Sequence, residues 1–369
     1  MRIERVAIFA VDIPFTHQVA ISKGARSAAS NIFVKIEIQG GVYGWGEGSP
    51  YPSLTGETQA GCLAAARTFA SSLIGRDATE IDALLNEFQQ MFRGHASTRC
   101  AFDIALYDIL GKLAQMPLFR LFGGQRRELR TDYTIGILSS VEETTAEAQL
   151  AVQQGFETVK LKTGRKGFED VSHVQAVRKI IGESRKLRID SNQAWNHSAA
   201  CRNIQEMGNQ DLEFCEQPLP YWDVEGHAQL RRQLTVPIAL DESVFDIHEA
   251  LVVVNARAAD VINIKLGKCG GIHHALKIET IASASNVICM VGCFGETRLG
   301  LTAAAHFAMA RPNVRYIDLD SSLIHSLDPV KGGMEFDQSS GGILHLPDAP
   351  GLGASIDETK IQNTLIAEY

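Results

Sequence analysis

The sequence lacks an excess of basic charge, long apolar runs and paired cysteines, and each absence excludes a class of protein. Its formal net charge is −8 over 369 residues, whereas a protein that binds nucleic acid or an anionic membrane needs a basic face. No stretch reaches about 18 apolar residues without a charge, so we expect no membrane-spanning segment. The seven cysteines include no C-x-x-C pair, so neither a zinc site nor a disulfide framework is indicated.

The N-terminus and the glycines narrow the possible classes further. The first residues, MRIERVAIFAVDIPF, carry early charges and no apolar core of secretory length, so with its unpaired cysteines the protein is expected in the cytoplasm. The glycines of Gly44-Trp45-Gly46-Glu47-Gly48 do not have the spacing of a dinucleotide-binding loop, and they follow a hairpin signal. We therefore interpret them as turn residues.

Residues 1–125 have the pattern of an α+β domain. Arg2–Phe15 alternates as a strand, and Ile32–Ile38 and Val42–Gly46 flank a Gln-Gly-Gly turn, which predicts a hairpin. A helix with a single apolar stripe is predicted downstream. The stripe residues are Phe102, Leu106, Ile109, Leu110 and Leu113.

Residues 126–324 repeat a strand–helix pattern instead. Eight short apolar strands separated by helical segments are what a barrel of alternating strands and helices requires, so the expected fold class is α/β. The predicted strands are Tyr133–Ile137, Thr158–Lys162, Leu187–Asp190, Leu212–Glu216, Ile238–Asp241, Val261–Lys265, Ile288–Cys293 and Tyr316–Asp320. The tail, residues 325–369, is expected to join the first domain.

Acidic residues stand where three neighbouring barrel strands are predicted to end. Asp190, Glu216 and Asp241 end the third, fourth and fifth strands, and in this architecture the carboxyl ends of the strands build the active site. Three like charges at close range repel one another and need a cation. Because all the donors are oxygen atoms, Mg²⁺ or Mn²⁺ fits better than zinc. Helix caps are the alternative interpretation of each acid taken singly.

Lysines flank these acids on both sides. Lys162 ends the second strand and Lys265 the sixth, and these strands face each other across a barrel of eight. Lys160 comes two residues before Lys162 and points the same way, so its charge would lower the pKa of Lys162 and let it act as a base. We interpret Lys162 and Lys265 as acid/base groups, with salt-bridge partners as the alternative.

A set of short motifs runs through nearly the whole chain. The motifs are Gly44-Trp45-Gly46-Glu47, Ala105-Leu106-Tyr107-Asp108, Leu121-Phe122-Gly123-Gly124, Lys160-Leu161-Lys162, Asp190-Ser191-Asn192-Gln193, Glu216-Gln217-Pro218, Asp241-Glu242-Ser243, Lys265-Leu266-Gly267 and Pro350-Gly351-Leu352-Gly353. Together they resemble the enolase superfamily and, within it, the muconate-lactonizing-enzyme subgroup.

The resemblance implies an N-terminal α+β capping domain and a (β/α)7β modified TIM barrel, with the helix content altered at the first strand. It also implies one Mg²⁺ per subunit, held by Asp190, Glu216 and Asp241. In the superfamily this metal holds a substrate carboxylate and stabilises the enolate that α-proton removal leaves. Because relatives often form symmetric assemblies, a homo-oligomer is expected.

The resemblance also bears on the acid/base groups. Members similar to mandelate racemase or to acid-sugar dehydratases carry a histidine on the seventh strand, whereas residues 291–296 contain none here. Lys162 and Lys265 are therefore expected to be the two acid/base groups. Four reactions remain within the subgroup: cycloisomerisation of muconate or chloromuconate, o-succinylbenzoate synthesis, N-acylamino-acid racemisation and dipeptide epimerisation.

The predicted eighth strand separates these four reactions. Asp318 and Asp320, placed on one strand face, resemble the Asp-x-Asp with which dipeptide epimerases bind the free α-ammonium of their substrate. A desolvated ammonium needs an anionic partner, whereas muconate and succinylbenzoate are anionic and would be repelled. We therefore predict a Mg²⁺-dependent dipeptide epimerase that inverts the α-carbon of the C-terminal residue by 1,1-proton transfer between two lysines. The other three reactions remain the alternatives.

Four further residues are expected to bind the dipeptide from the barrel side. They are Thr134 on the first strand and Cys293, Phe294 and Glu296 at the end of the seventh. Their sequence context is similar to that of dipeptide epimerases.

The capping domain is expected to set the choice of the second residue of the dipeptide. Relatives that act on Ala–Glu carry an arginine in the first capping loop, whereas Gly24 takes that position here and Arg26 lies close by. A smaller or apolar second residue is therefore expected. The loops Phe15–Ser30 and Ser49–Glu57 are expected to close the site.

Two interpretations outside the superfamily compete with this prediction. A class I aldolase uses a Schiff-base lysine in a barrel, but it leaves the three acids unexplained. A barrel recruited for binding alone has no physical need for three acids that repel one another. Metal dependence would separate both from the predicted enzyme.

Overall fold

The N-terminal part of the chain is built on a four-stranded antiparallel sheet. The computed structural model describes residues 1–165, 169–337, 340–361 and 364–369. The strands, in sheet order, are Leu365–Glu368, Ile3–Ile21, Gly24–Ile38 and Tyr43–Gly48. The helices of this part are Pro52–Thr55, Gln59–Leu73, Ile81–Met91, Ala96–Leu113 and Leu118–Leu121. The last strand of the chain thus lies at the edge of the N-terminal sheet, while the exact domain boundaries stay a prediction.

The first two strands extend into a long hairpin. The first was predicted to end at Phe15, but it continues to Ile21 and pairs with the second strand up to Gly24. The segment Phe15–Ser30 is therefore largely a β-ribbon, and the expectation of a loop there was wrong. Backbone pairing extends the ribbon beyond the sheet core, and a hydrogen bond from Ile137 N to Ala20 O (2.8 Å) ties its end to the barrel.

The glycines at 44, 46 and 48 are strand residues, so their interpretation as turn residues was wrong. They share one face of the strand Tyr43–Gly48. A Cβ on any of them would come within about 2.2 Å of a backbone carbonyl of the helix Ala96–Leu113. Glycine is required here because the helix packs directly on the backbone of the strand.

The helix Ala96–Leu113 is buried on nearly all its sides rather than along one stripe. Its buried residues run without a break from Ser97 to Ile109. The strand Tyr43–Gly48 covers one side, and Arg99 on another side donates to Cys269 O of the barrel (2.9 Å). The apolar periodicity did not reveal this burial, because polar residues of the helix are buried as well. Asp103, for example, caps a barrel helix by accepting from Ile272 N (2.6 Å).

The C-terminal part contains a parallel sheet of eight strands, named here barrel strands 1 to 8. They are Tyr133–Ile135, Thr158–Lys162, Lys186–Asp190, Leu212–Glu216, Ile238–Leu240, Val261–Lys265, Ile288–Gly292 and Val314–Ile317, and they neighbour one another in chain order. The helices that follow barrel strands 1 to 7 are Val141–Gln153, Glu169–Ile181, His197–Met207, Val224–Gln233, Ile247–Ala256, Ile272–Ala284 and Arg298–Ala310. This alternation confirms the predicted α/β class and the (β/α)7β barrel.

The altered helix content lies at the end of the barrel, not at its first strand as expected. Among the described residues, barrel strand 8 is followed by a 3-10 turn, Ser321–Ile324, where an eighth helix would begin. A hydrogen bond from Asp132 N to Ile317 O (3.3 Å) links the first and last barrel strands. Leu319 N also donates to Thr131 Oγ1 (2.8 Å) across the same seam.

Short elements complete the described chain. The remaining strands are Leu129–Arg130, Val330–Gly332, Glu335–Phe336, Ile343–His345 and Ala354–Ile356, the remaining helix is Leu266–Cys269, and the remaining 3-10 turns are Gly208–Gln210 and Glu358–Ile361. Ile343 and Leu344 pair with Arg130 and Leu129 beside the barrel, so the tail contacts both parts of the molecule. Within the described ranges, no helix combines the length and apolarity needed to cross a membrane.

Arg188 bridges the seam of the barrel from inside. Its guanidinium donates to Asp132 Oδ2 (2.7 Å), Ile317 O (3.1 Å) and Glu213 Oε2 (2.8 Å), and it is almost completely buried. We expect Arg188→Met to lower the free energy of unfolding by about 3–5 kcal/mol, because it leaves buried acids without their cation. Urea denaturation measures this loss. Lys186→Met, at the exposed start of the same strand, is the matched control, and equal losses in the two variants would contradict the assignment.

Candidate active site

The three acids singled out from the sequence lie together at the carboxyl end of the barrel. Asp190 and Glu216 are the last residues of barrel strands 3 and 4 and pair in register, and Asp241 directly follows barrel strand 5. All three are fully buried. The regular strand–helix repeat therefore brings residues about 25 positions apart in the chain to one edge of the sheet.

Three lysines neutralise these acids. Lys160 Nζ lies 2.7 Å from Glu216 Oε2 and 3.5 Å from Asp190 Oδ2. Lys162 Nζ lies 2.5 Å from Asp190 Oδ2, and Lys265 Nζ lies 2.8 Å from Asp241 Oδ2. Lys162 and Lys265 thus approach the acids from barrel strands 2 and 6, on opposite sides.

Burial and pairing shift these acids in different directions. Burial alone would raise the pKa of Asp190, but the charges of Lys162 and Lys160 hold it below its usual range. Burial and the neighbouring Asp190 raise the pKa of Glu216 despite the nearby Lys160. The pKa values of Asp190 and Glu216 therefore shift in opposite directions, which is the expected result of like charges sharing a site.

Two oxygen atoms of these acids are paired by charge alone. Glu216 Oε2 and Asp241 Oδ2 are buried and accept no hydrogen bond, although Lys160 and Lys265 lie 2.7 and 2.8 Å from them. A buried carboxylate oxygen without a hydrogen bond is costly unless another charge coordinates it. Oxygen donors from three carboxylates suit a hard divalent cation, so Asp190, Glu216 and Asp241 fit Mg²⁺.

Lys160 is held differently from the other two lysines. Its ammonium, which also lies beside Glu216, donates to Asp318 Oδ2 (2.7 Å), and the side chain is fully buried. Burial alone would lower the pKa of Lys160, but Asp318 and Glu216 raise it well above its usual value. Its proposed influence on the pKa of Lys162 stays a prediction.

Asp318 and Asp320 meet in front of barrel strand 1. The predicted eighth strand extended to Asp320, but barrel strand 8 ends at Ile317, so both acids lie just beyond it. Asp320 Oδ2 accepts from Thr134 N (2.7 Å), which draws the chain out of the strand path. Ligand atoms of Asp318, Asp320 and Cys293 all lie within 4.8 Å of one another.

The environments of the two acids differ. Burial alone would raise the pKa of Asp318, but Lys160 lowers it to about 2. Burial and the charge of Asp318 raise the pKa of Asp320 to about 6. Asp318 is already paired with a lysine, whereas Asp320 accepts from a neutral amide and retains its charge for a further donor.

A cavity of about 440 Å³ lies in front of these groups, a size typical of a small-molecule site. The structure places in its wall eight of the residues predicted from the sequence: Arg26, Thr134, Lys162, Lys265, Cys293, Phe294, Asp318 and Asp320. Lys160 and the three metal-ligand candidates lie beneath this wall. Residues from both predicted closing segments, including Val19 and Tyr51, cover the cavity from the N-terminal domain.

Two predicted binding residues are not brought into this cavity. Gly24 is the exposed first residue of the second strand of the long hairpin, with φ of 129°, so it contributes backbone geometry rather than a contact. Glu296 is buried under the loop that follows barrel strand 7, where its carboxylate accepts from Phe294 N (2.5 Å). Glu296 therefore shapes the loop that carries Phe294.

An aromatic wall connects the N-terminal domain to Lys265. The guanidinium of Arg26 lies over the ring of Tyr51 at 4.4 Å, and Tyr51 packs against Phe294 at 5.7 Å between centroids. Lys265 Nζ lies 4.6 Å from the centre of the Phe294 ring. A substrate group beside Lys265 would therefore contact an aromatic face.

Two site residues were given no role from the sequence. Lys268 is buried and donates to Asp241 Oδ1 (2.6 Å), Asp241 O (2.6 Å) and Asn263 O (2.8 Å). Asn263 Nδ2 donates to Glu216 Oε1 (2.7 Å). The position of Asn263 two residues before Lys265, on the same strand face, was a usable signal. Lys268 follows the strand in a short helix, so no periodicity pointed to it.

Glu47 joins the two parts of the molecule near the site. Its carboxylate accepts from Thr297 N and Gly300 N at the start of a barrel helix (2.8 Å each) and from Asn31 Nδ2 (2.8 Å). Acceptors at a helix N-terminus satisfy free backbone donors. This contact fixes the loop that carries Cys293 and Phe294 against the N-terminal sheet.

Comparison with known proteins gives matches over both parts of the chain. A model described as "Mandelate racemase / muconate lactonizing enzyme, N-terminal domain" matches residues 3–123, and one described as "Enolase C-terminal domain-like" matches residues 143–360. The chain is 38% identical over 359 residues to a hydrophobic dipeptide epimerase of Enterococcus faecalis, covering 96% of this chain and 100% of the other. It is 36% identical over 357 residues to an L-Ala-D/L-Glu epimerase of Bacillus subtilis, covering 96% of each.

A solved structure extends this similarity to three dimensions. The crystal structure of the dipeptide epimerase of Enterococcus faecalis, complexed with Mg and the dipeptide L-Leu-L-Tyr, matches with a TM-score of 0.93 at 38% identity. The match covers 96% of this chain and 100% of that one. Fold and sequence similarity therefore extend over the same length.

Proposed function

The chain belongs to the mandelate racemase / muconate lactonizing enzyme family of the enolase superfamily, and we propose that it is a Mg²⁺-dependent dipeptide epimerase. The observation that carries the proposal is the arrangement of Lys162, Lys265, Asp318 and Asp320 around one cavity, over three buried acids. A substrate that uses all of these groups must carry both a free ammonium and a carboxylate. Among the four reactions expected of the subgroup, dipeptide epimerisation has such a substrate.

Lys162 and Lys265 carry the proton transfer in this proposal. One lysine in its neutral form removes the α-proton of the C-terminal residue, and the other donates a proton from its ammonium to the opposite face of that carbon. Their approach from barrel strands 2 and 6 supports this role, because inversion requires groups on both faces. One proton is lost and one is gained, so the net result is inversion without a redox cofactor.

Asp190, Glu216 and Asp241 would hold one Mg²⁺ per subunit. When bound, the ion supplies positive charge that stabilises the negative charge developing on the substrate carboxylate as the α-proton leaves. Lys268 and Asn263 act as positioning residues, since they fix the carboxylates of Asp241 and Glu216. The same oxygen set would also accept Mn²⁺.

Asp320, with Asp318 beside it, binds the α-ammonium of the dipeptide. The carboxylate of Asp320 lines the cavity and has no lysine or arginine within 4 Å among the described residues. A buried ammonium needs such an anionic acceptor. The N-terminal residue of the substrate therefore lies near barrel strand 1 and the C-terminal residue near the lysines.

The aromatic wall favours an apolar C-terminal residue. Its side chain would project beside Lys265 and contact Phe294 and Tyr51, and Arg26 is stacked on Tyr51 behind them. Aromatic faces stabilise apolar and aromatic groups by burial and ring packing. We propose this preference over an acidic second residue.

A dipeptide panel tests the function and the preference together. Incubation in D₂O is expected to introduce one deuterium at the α-carbon of the C-terminal residue, with L-Ala-L-Phe having at least about tenfold higher kcat/KM than L-Ala-L-Glu. Mass spectrometry and chiral chromatography measure exchange and inversion. N-acetylated L-Ala-L-Phe is the matched control, because it lacks the ammonium that Asp320 would bind. Equal turnover of the acetylated and free forms would point to an N-acylamino-acid racemase instead.

The cellular setting follows as part of the proposal. All seven cysteines are free thiols in the structure, which supports a reducing compartment such as the cytoplasm. We also propose that the chain binds a second copy of itself in a homo-oligomer. Size-exclusion chromatography with light scattering would measure the oligomeric state.

A further inference from the structure

The wall of the cavity contains an acid that the proposed reaction does not use. Glu147 lies on the helix Val141–Gln153, is half-buried and lines the same cavity as Asp320. Its Oε2 accepts from the Tyr133 hydroxyl (2.9 Å). Among the described residues, no lysine, arginine or histidine lies within 4 Å of its carboxylate, so its charge is not compensated there.

Tyr133 sets the spacing between Glu147 and Asp320. The phenol at one end of the tyrosine donates to Glu147, and the backbone amide just after its Cα, that of Thr134, donates to Asp320 Oδ2 (2.7 Å). The two carboxylates are therefore separated by at most the length of one tyrosine plus a hydrogen bond at each end. A lysine residue has the same layout, with an α-ammonium at one end and an ε-ammonium at the other.

Apolar residues line the same cavity as the two acids. They include Leu150 on the same helix as Glu147, and Leu323 and Ile324 after barrel strand 8. The methylene stem of a long basic side chain can pack on such residues while its charged end reaches a carboxylate. A short or acidic side chain would leave Glu147 unpaired or repel it.

We infer that Glu147 selects dipeptides whose N-terminal residue carries a long basic side chain, lysine or arginine. The inference rests on the proposed function, because Asp320 must hold the α-ammonium for the side chain to point toward Glu147. Glu147 binds the cation at the end of that side chain and takes no part in proton transfer. It thus determines specificity at the N-terminal residue, while the aromatic wall acts on the C-terminal one.

Matched substrates test this inference. The probes are L-Lys-L-Phe, L-norleucyl-L-Phe and L-Glu-L-Phe, because norleucine keeps the stem of lysine and lacks its charge. In the unmodified enzyme, kcat/KM for the lysine substrate is expected to exceed that for norleucine by about tenfold, as for a partly buried charge pair. Glu147→Gln is expected to remove most of this ratio and to change norleucine turnover by less than about twofold.

Controls separate the possible results. Glu142→Gln, an exposed acid on the same helix, is expected to leave the lysine-to-norleucine ratio unchanged. Norleucine turnover by Glu147→Gln shows that the variant is folded and active. If the ratio is near one in the unmodified enzyme, or survives Glu147→Gln, the inference is overturned while the epimerase function stands. If none of the free dipeptides exchanges deuterium, the proposed function itself fails.

Discussion

Replacing either Lys162 or Lys265 by alanine is expected to abolish epimerisation, with a fall in kcat of at least about 10²–10⁴-fold. Inversion needs one base and one acid on opposite faces of the α-carbon, and each lysine supplies one face. Because Asp190 keeps Lys160 and Asp241 keeps Lys268 in these variants, their charges stay compensated. The loss is therefore expected in activity rather than in folding.

Deuterium exchange makes this prediction sharper than loss of activity alone. Each single variant retains one base, so it is expected to exchange the α-proton of one epimer with D₂O without inverting it. The two variants should select opposite epimers, which also reveals which lysine faces which configuration. Lys186→Ala, at the exposed opposite end of barrel strand 3, is the control. Full epimerisation by either site variant would eliminate the two-lysine scheme.

Removing the metal is expected to have an effect of similar size. Chelation with EDTA should lower both inversion and exchange by about 10³-fold, since the charge on the substrate carboxylate then develops without a cation. Added Mg²⁺ should restore activity. A class I aldolase or a purely binding barrel would be indifferent to both treatments.

Stability provides a second measurement of the same site. Mg²⁺ at about 100 times its Kd is expected to stabilise the folded enzyme by about 2.7 kcal/mol, because it binds only the folded site. Glu216→Gln should lose this gain, and without Mg²⁺ it should unfold near the temperature of the unmodified protein, because Asp190 and Asp241 no longer face a third charge. Glu225→Gln, in an exposed ion pair, should keep the full Mg²⁺ effect. An unchanged Mg²⁺ response in Glu216→Gln would exclude this acid as a ligand.

Much of the barrel was predictable because its signals are local. Barrel strands 2, 4 and 6 begin and end at the predicted residues, Thr158–Lys162, Leu212–Glu216 and Val261–Lys265. Each is a short apolar run that stops at an ionisable residue, so side-chain chemistry marks the boundary directly. Barrel strand 8 was predicted too far along, because Asp318 and Asp320 continue the alternation after backbone pairing has ended.

The N-terminal domain was less predictable because its contacts are distant in sequence. The glycines of Tyr43–Gly48 face a helix that begins almost 50 residues later, and no local pattern distinguishes such a face from a turn. The long hairpin is stabilised by backbone pairing, which side-chain patterning does not report. Glu296 was predicted to bind the substrate because of its sequence context, yet burial under its own loop directs it away from the cavity.

Local patterns in the sequence are sufficient to predict the fold class, the ends of barrel strands 2, 3, 4 and 6 and the residue types that gather there, because the strand period and the strand–helix repeat are local properties of the chain. Which charges pair depends on tertiary contacts. They place Lys160 between Glu216 and Asp318, Lys268 on Asp241, and Glu147 and Asp320 at the two ends of Tyr133. Pairing depends on distances between residues far apart in the chain, and in a buried site those distances set both the protonation of each acid and the ligand that it can hold.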